Sequence, residues 1–409
     1  MMTTAIDLSA RRARTELGET VDQTADDDDV VTAYARAVWA CLVEPGDGVA
    51  GRLIAAHGAI RALEIACSAR GHEPEAVAAD VTPGKLAEGR RRWMPRASEI
   101  DARLAAARRA RVALVTPEDA AWPRRADDLG AHAPVCLWVT GDLAALGAVR
   151  QAPPAIAIVG ARAASAYGDH AAMEFAAECA AAGISVVSGG AYGIDAAAHR
   201  GAMSAGGTTV ALLAGGVDRP YPAGHVDLLD RVARAGAVAA EPACGTTPTK
   251  WRFLARNRLV AALTDATVVV EAGWRSGALN TAHHAAELGR PLGVVPGPIT
   301  SATSAGCHRL LREMPDAVCV TSLGDLKELL GLGGTGGAGA ADDVPYTDER
   351  MRILDTLGTR TPRAVDDIAR RGGFSVDEAA ALLGLLELLG DAVRSGHGWL
   401  RAGHCDVPR

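Results

Sequence analysis

Between residues 155 and 320 short, uninterrupted apolar runs alternate with longer stretches of mixed, Ala-rich composition. The runs fall at 156–159, 184–187, 209–213, 237–240, 267–270, 292–295 and 318–320. A strand with one wet face alternates apolar and polar residues, whereas a run without alternation is buried on both faces. The intervening segments are long enough for helices, and helical crossovers join parallel strands with right-handed connections. The pattern therefore predicts an α/β fold, a Rossmann-like doubly wound sheet that is mainly parallel. Two earlier runs, 112–115 and 135–139, are set apart by Pro123 and Pro134 and read as strands leading into that sheet, so the predicted domain spans 111–330.

The flanks read differently. Residues 31–110 have helical periodicity broken at Pro45-Gly46 and Pro83-Gly84, which predicts a small helical domain of the SAM or helix-hairpin type. Its turn at Gly46, Asp47 and Gly48 is a candidate phosphate contact, although short glycine turns more often only reverse the chain. Residues 1–30 mix Arg and Ser with the acidic run from Asp26 to Asp29 and read as a disordered leader. Residues 331–345 form a Gly/Ala linker. Beyond it, 346–409 contains three helical stretches and then an alternating segment around a glycine turn, the outline of a winged helix. Its third helical stretch carries Asp377, Glu378 and Glu387 but no Arg or Lys. Such a helix would repel phosphate, so a protein-binding or packing role is expected rather than duplex recognition.

Composition narrows the function. The 409 residues are 49% hydrophobic, which excludes a wholly disordered chain, and the net charge of -7 argues against a surface that attracts nucleic acid everywhere. An anion site must be local. The eight cysteines occur singly, without CxxC or finger spacing, and read as reduced thiols of a cytoplasmic protein. No apolar run reaches the ~18 residues of a membrane span, and no apolar stretch follows Arg11, Arg12 and Arg14, so neither export nor a membrane partner is expected.

In a doubly wound sheet, ligands bind beyond the carboxyl ends of the strands. Those ends are rich in Gly and Ser: Gly160 and Arg162 follow the first run, Ser188, Gly189 and Tyr192 the second, and Ser276 and Gly277 the fifth. Glycine permits close backbone approach, and the helix N-termini that follow favour anions. Neither GxGxxG nor GxxxxGK[ST] is present, which counts against a tight dinucleotide or triphosphate site. A second constellation is 246–260, TTPTKWRFLARNRLV, with Lys250, Arg252, Arg256 and Arg258 and no acidic residue. Trp251 and Phe253 lie among these cations. Cations that follow a backbone, interleaved with rings on which bases stack, are the ingredients of a single-strand binding groove. Helical spacing puts Arg252 and Arg256 on one face and Phe253 and Asn257 on the adjacent one. Arg258 points elsewhere, with phosphate and an internal ion pair both open. Asp195 with His199, and His283, His284 and Glu287, read as caps or satisfied core groups. No catalytic residue, metal site or cofactor is expected.

The ordered blocks IAIVGARAASAYG, VVSGGAYGIDAAAHRGA, VALLAGGVDRPYP and FLARNRLVAALTDATVVVEAGWRSGALNTAHHAAELGRPLGVVPGPI closely resemble the DNA-processing protein A (DprA, or Smf) family. The resemblance covers most of 110–325, and the flanking regions are similar to that family's flanking domains. It implies an ATP-independent, homodimeric binder of single-stranded DNA that helps to load the RecA recombinase in natural transformation or related recombination. Arg162, Ser188, Gly189, Lys250, Phe253, Arg256, Asn257, Arg258, Ser276 and Gly277 match the family's binding positions. Tyr192 stands where the family usually has Arg, which removes a phosphate contact and leaves a ring able to stack. The competing reading is a Rossmann-like hydrolase or sensor of a nucleotide-derived small molecule, although the PGGxGT-type motif of such hydrolases is missing.

Overall fold

The computed structural model describes residues 6–22, 24–68, 80–148, 154–332, 348–359 and 361–402. The chain divides into two compact units, one up to Gly333 and one from Gly334. The first is built on a nine-stranded sheet. Its strands are β1 (Ala113–Val115), β2 (Leu137–Gly141), β3 (Ala155–Gly160), β4 (Ser185–Ser188), β5 (Thr209–Leu213), β6 (Gly236–Ala240), β7 (Ala266–Glu271), β8 (Leu292–Val294) and β9 (Ala317–Cys319), in the order β1-β2-β6-β5-β4-β3-β7-β8-β9. Every neighbouring pair from β6 to β9 is parallel, while β1 with β2 and β2 with β6 are antiparallel. All the predicted strands are present, and the lead-in runs are the antiparallel ones.

The unbroken apolar runs are explained by a helical layer on each face. Along β3, Ala155, Ala157 and Val159 join one core with Leu259 and Val260, whereas Ile156 and Ile158 join the other with Phe175 and Ala198. That alternation follows from the two-residue period of a strand. The chain leaves β3 toward β4 but leaves β7 toward β8, on the opposite side. Their carboxyl ends therefore diverge into a crevice, the usual place for a ligand in this architecture.

The N-terminal helices Asp27–Leu42, Gly48–Cys67, Pro83–Trp93 and Ile100–Ala110 share a core with Trp138, Leu213 and Val238 of the sheet. They are part of the first compact unit, not a separate domain. Nor do the described residues of 1–30 form a disordered leader: Ala10–Leu17 is a helix capped by Ser9, with Ala13 and Leu17 buried. The acidic run is a helix start. The Asp26 side chain accepts from the Asp29 amide, and Asp27, Asp28 and Asp29 occupy the first turn, where the helix dipole favours negative charge. Gly46 and Asp47 likewise direct their amides to protein carboxylate and carbonyl oxygens rather than offer them to phosphate. The Gly46 amide donates to Glu241 at 3.0 Å, and Asp47 caps the following helix by accepting from Val49 and Ala50.

The second unit holds helices Asp348–Thr356, Val365–Gly372 and Val376–Leu388 and the hairpin β10 (Ala392–Ser395) and β11 (Gly398–Arg401), the predicted winged helix. Ser375 and Glu378 form a reciprocal capping box, and Ile353, Ile368, Leu383 and Trp399 make the core. Residues 333–345 of the expected linker lie outside the described residues. Cys41, Cys67, Cys136, Cys179, Cys244, Cys307 and Cys319 are free thiols, and Cys405 lies outside the described residues. Among the described residues no helix is long and apolar enough to cross a membrane.

Candidate nucleic-acid interface

At the divergence of β3 and β7 lies a cavity of about 870 Å³. The loop after β3 contributes Gly160 and Arg162, the loop after β7 contributes Gly273, Trp274, Arg275, Ser276 and Gly277, and the helix Lys250–Ala262 contributes Lys250, Phe253, Arg256 and Asn257. Four cations, Arg162, Lys250, Arg256 and Arg275, line it against one carboxylate, Asp195. The local positive site required by an acidic chain is here.

The helix is set by Thr249, whose side chain accepts from the Arg252 amide. Lys250, Phe253 and Asn257 follow at helical spacing and face the cavity. Phe253 is half-buried. The Arg162 guanidinium lies 4.4 Å from its ring centroid, and Tyr221, itself 50% exposed, packs at 5.7 Å. Asn257 donates to the Gly277 carbonyl at 3.2 Å and to Asn280 at 3.3 Å, tying this helix to the next, Ala278–Glu287. Gly277 is the N-cap of that helix, and Ser276 accepts from the Ala278 amide. A helix N-terminus with its partial positive charge therefore reaches the cavity wall.

Arg256 works from below. It is 7% exposed, donates from Nη1 to the Leu212 carbonyl at 3.2 Å, and leaves its buried Nε without a hydrogen-bond partner among the described residues. Gly189 makes room for it, since a Cβ there would come within 1.6 Å of Arg256 Nη1. Burial pushes the Asp195 carboxyl above the usual carboxylate range, only partly offset by the nearby Arg256 charge. Gly160 is close-packed too: a Cβ would meet Ile194 at 2.5 Å and the Glu271 carbonyl at 2.8 Å.

Four expected site residues are placed differently. Ser188 is fully buried and donates to the Ile158 carbonyl at 2.7 Å, so its hydroxyl holds two strands together rather than meeting a ligand. Arg252 shares a helix face with Arg256 but its long side chain diverges, pairing with Glu44 at 2.8 Å and donating to Thr247. Burial pushes the Glu44 carboxyl up, but the charges and hydrogen bonds of Arg252 and Arg96 outweigh this and hold it below its ordinary value. Arg258 is buried, with its Nη2 donating to both carboxylate oxygens of Glu241 at 2.7 and 2.8 Å, so of the two open alternatives the structure has the internal ion pair. Tyr192 is exposed beside the cavity, edge-on to His225 at 4.4 Å, and is not among the cavity's lining residues. Sequence reasoning missed Tyr221, Trp274 and Arg275 as site residues. The signal for the last two was an aromatic-cation pair inside the glycine-rich loop GWRSG.

Comparison with known proteins identifies the family. The family model for DNA recombination-mediator protein A matches residues 113–331, and that for the DprA winged helix domain matches 338–398. The chain is 47% identical over 308 residues to a DNA processing protein DprA of Mycobacterium tuberculosis, covering 71% of this chain and 77% of that one. To protein Smf of Escherichia coli it is 34% identical over 287 residues, covering 68% and 74%. The X-ray structure of DNA processing protein A from Streptococcus pneumoniae superposes with a TM-score of 0.56 at 28% identity, over 73% of this chain and 97% of that one. With one model spanning more than half of its length and two relatives each matched over more than two thirds of it, the chain belongs to the DNA recombination-mediator protein A (DprA/Smf) family.

Proposed function

We propose that the cavity binds single-stranded DNA and that the protein acts as an ATP-independent recombination mediator in the cytoplasm. As a homodimer it would hold the strand for transfer to the RecA recombinase during natural transformation or related recombination. The observation that carries this reading is the Phe253 ring, open to the cavity and backed by the Arg162 guanidinium, within a lining of four cations and one carboxylate. An unpaired base stacks on such a ring, and the neighbouring phosphates meet Arg162, Lys250 and Arg275. The N-terminus of Ala278–Glu287 adds a fixed partial charge, and buried Arg256 supports the floor. A paired base has no free face to offer Phe253, so duplex DNA binds more weakly. None of these groups reads a base edge, and sequence preference is slight.

Fluorescence anisotropy with labelled oligo-dT, across a salt series, tests the proposal. Each phosphate contact contributes about 0.7 to the slope of log affinity against log salt for a single strand, so the three exposed cations predict a slope near -2. Equal affinity for duplex and single strand, or an affinity indifferent to salt, refutes it. Turnover of a nucleoside monophosphate would favour the hydrolase reading instead.

A further inference from the structure

Five of the seven tryptophans, Trp39, Trp93, Trp122, Trp138 and Trp399, are at most 6% exposed. Trp251 and Trp274 are not, at 61% and 54%. An indole left in water in a chain with only 4% aromatic residues calls for a partner. Trp274 differs from Trp251 in three respects. It lines the cavity, from a wall built by the loop after β7, away from the helix that carries Phe253. The guanidinium of Arg309, from the helix Ala305–Glu313, lies 5.1 Å from its ring, held in place by an ion pair with Glu313 at 2.7 Å. Next to it, Arg275 is exposed and has no ion-pair or hydrogen-bond partner among the described residues. The Trp274-Arg309 pair thus repeats, on a second wall of the same cavity, the ring and guanidinium arrangement of Phe253 and Arg162.

We propose that Trp274 is a second base-stacking subsite and Arg275 the phosphate contact beside it. A strand seated on Phe253 continues across the glycine loop, and another of its bases lies on the indole. The arginine behind one face orients the ring and leaves the other for the base. This inference rests on the single-strand reading of the cavity and adds to its footprint.

The test compares wild type, Trp274→Ala, Arg275→Ala and Phe253→Ala in binding oligo-dT and an abasic oligomer of equal length. Trp274→Ala is expected to weaken oligo-dT binding by at least about fivefold, the effect of losing one stacked base. Abasic affinity should be unchanged, because a phosphate backbone gains nothing from the ring. Arg275→Ala should lower the salt slope by about 0.7 for both oligomers. Quenching of tryptophan fluorescence by oligo-dT should fall in Trp274→Phe and persist in Trp251→Phe. The subsite is overturned if Trp274→Ala binds oligo-dT like wild type while Phe253→Ala is impaired. It is equally overturned if Trp274→Ala weakens both oligomers alike or instead shifts the oligomeric state seen by light scattering. Failure of wild type to bind either oligomer would overturn the reading of the cavity itself.

Discussion

Adding one methyl group at Gly189 should disable the floor of the cavity without touching its surface. A Cβ there would lie 1.6 Å from Nη1, 2.3 Å from Cζ and 2.4 Å from Nη2 of Arg256, far inside contact distance. The guanidinium must move, since it is the end of a flexible side chain and the competing atoms are backbone. Moving, it loses the Leu212 carbonyl and draws away from Asp195, whose charge already suffers from burial. A hydrogen bond from a charged donor contributes about 1.5–3 kcal/mol, and overpacking a tight site costs a similar amount. Because one event causes both losses, Gly189→Ala should destabilise by about 2–3 kcal/mol. With a urea m-value of about 3 kcal/mol/M, the midpoint should fall by about 0.7–1 M. Oligo-dT affinity should drop as well, because the displaced charge no longer sits under the strand. The decisive assay is a double-mutant cycle. In an Arg256→Ala background nothing occupies the space, and Gly189→Ala should then cost less than about 0.5 kcal/mol. An equal cost in both backgrounds would mean that the methyl collides elsewhere and that Gly189 has no bearing on Arg256.

Other outcomes follow from individual contacts. Arg162→Ala should flatten the salt slope for oligo-dT by about 0.7 and weaken binding by removing the cation behind Phe253; an unchanged slope in a folded variant removes Arg162 from the strand's path. Glu241→Ala strips both the Arg258 guanidinium and the Gly46 amide of their acceptor, and should cost about 3–5 kcal/mol in urea unfolding while leaving the salt slope intact. His199 is pushed down to about 3 from 6.5 by burial and by the Arg256 charge, so the folded state releases its proton where the unfolded chain holds one. The stability it confers is present above pH 6.5 and is lost as pH falls toward 3. Between pH 7 and pH 5 the loss should be about 2 kcal/mol, measured by urea midpoint, and His199→Gln should abolish that part of the pH dependence.

The sheet was legible because its strands are buried on both faces, so each apolar run marks a strand without help from anything distant. Even the lead-in strands could be placed, though not their direction: β2 runs antiparallel to β6, and nothing local to Val135 or Val139 encodes that pairing. The acidic run misled because the same four aspartates describe a solvated tail or a helix start, and only the fold of the following helix decides between them. At the site, Phe253 and Asn257 were readable from helical spacing, and Lys250 from its place in a cationic segment without acidic residues. Ser188 was not, because a serine ending a strand looks the same whether it faces a ligand or, as here, the neighbouring strand's carbonyl.

The cations of 246–260 show the limit most clearly. All four look equivalent along the chain, yet Arg252 pairs with Glu44, 208 residues away, and Arg258 with Glu241, which also holds Gly46. Sequence gives the sign of a charge but not whether folding brings it an opposite one. That division has a function. The two paired arginines clamp the helix between the N-terminal helices and the end of β6, so ordering it draws on contacts made before any ligand arrives. Lys250 and Phe253 are then held at the cavity on an immobilised helix, and a strand that binds them need not pay the entropy of fixing it. On the proposed reading of the cavity, the cations that pair inside the protein are the reason the remaining ones are held in register for a strand.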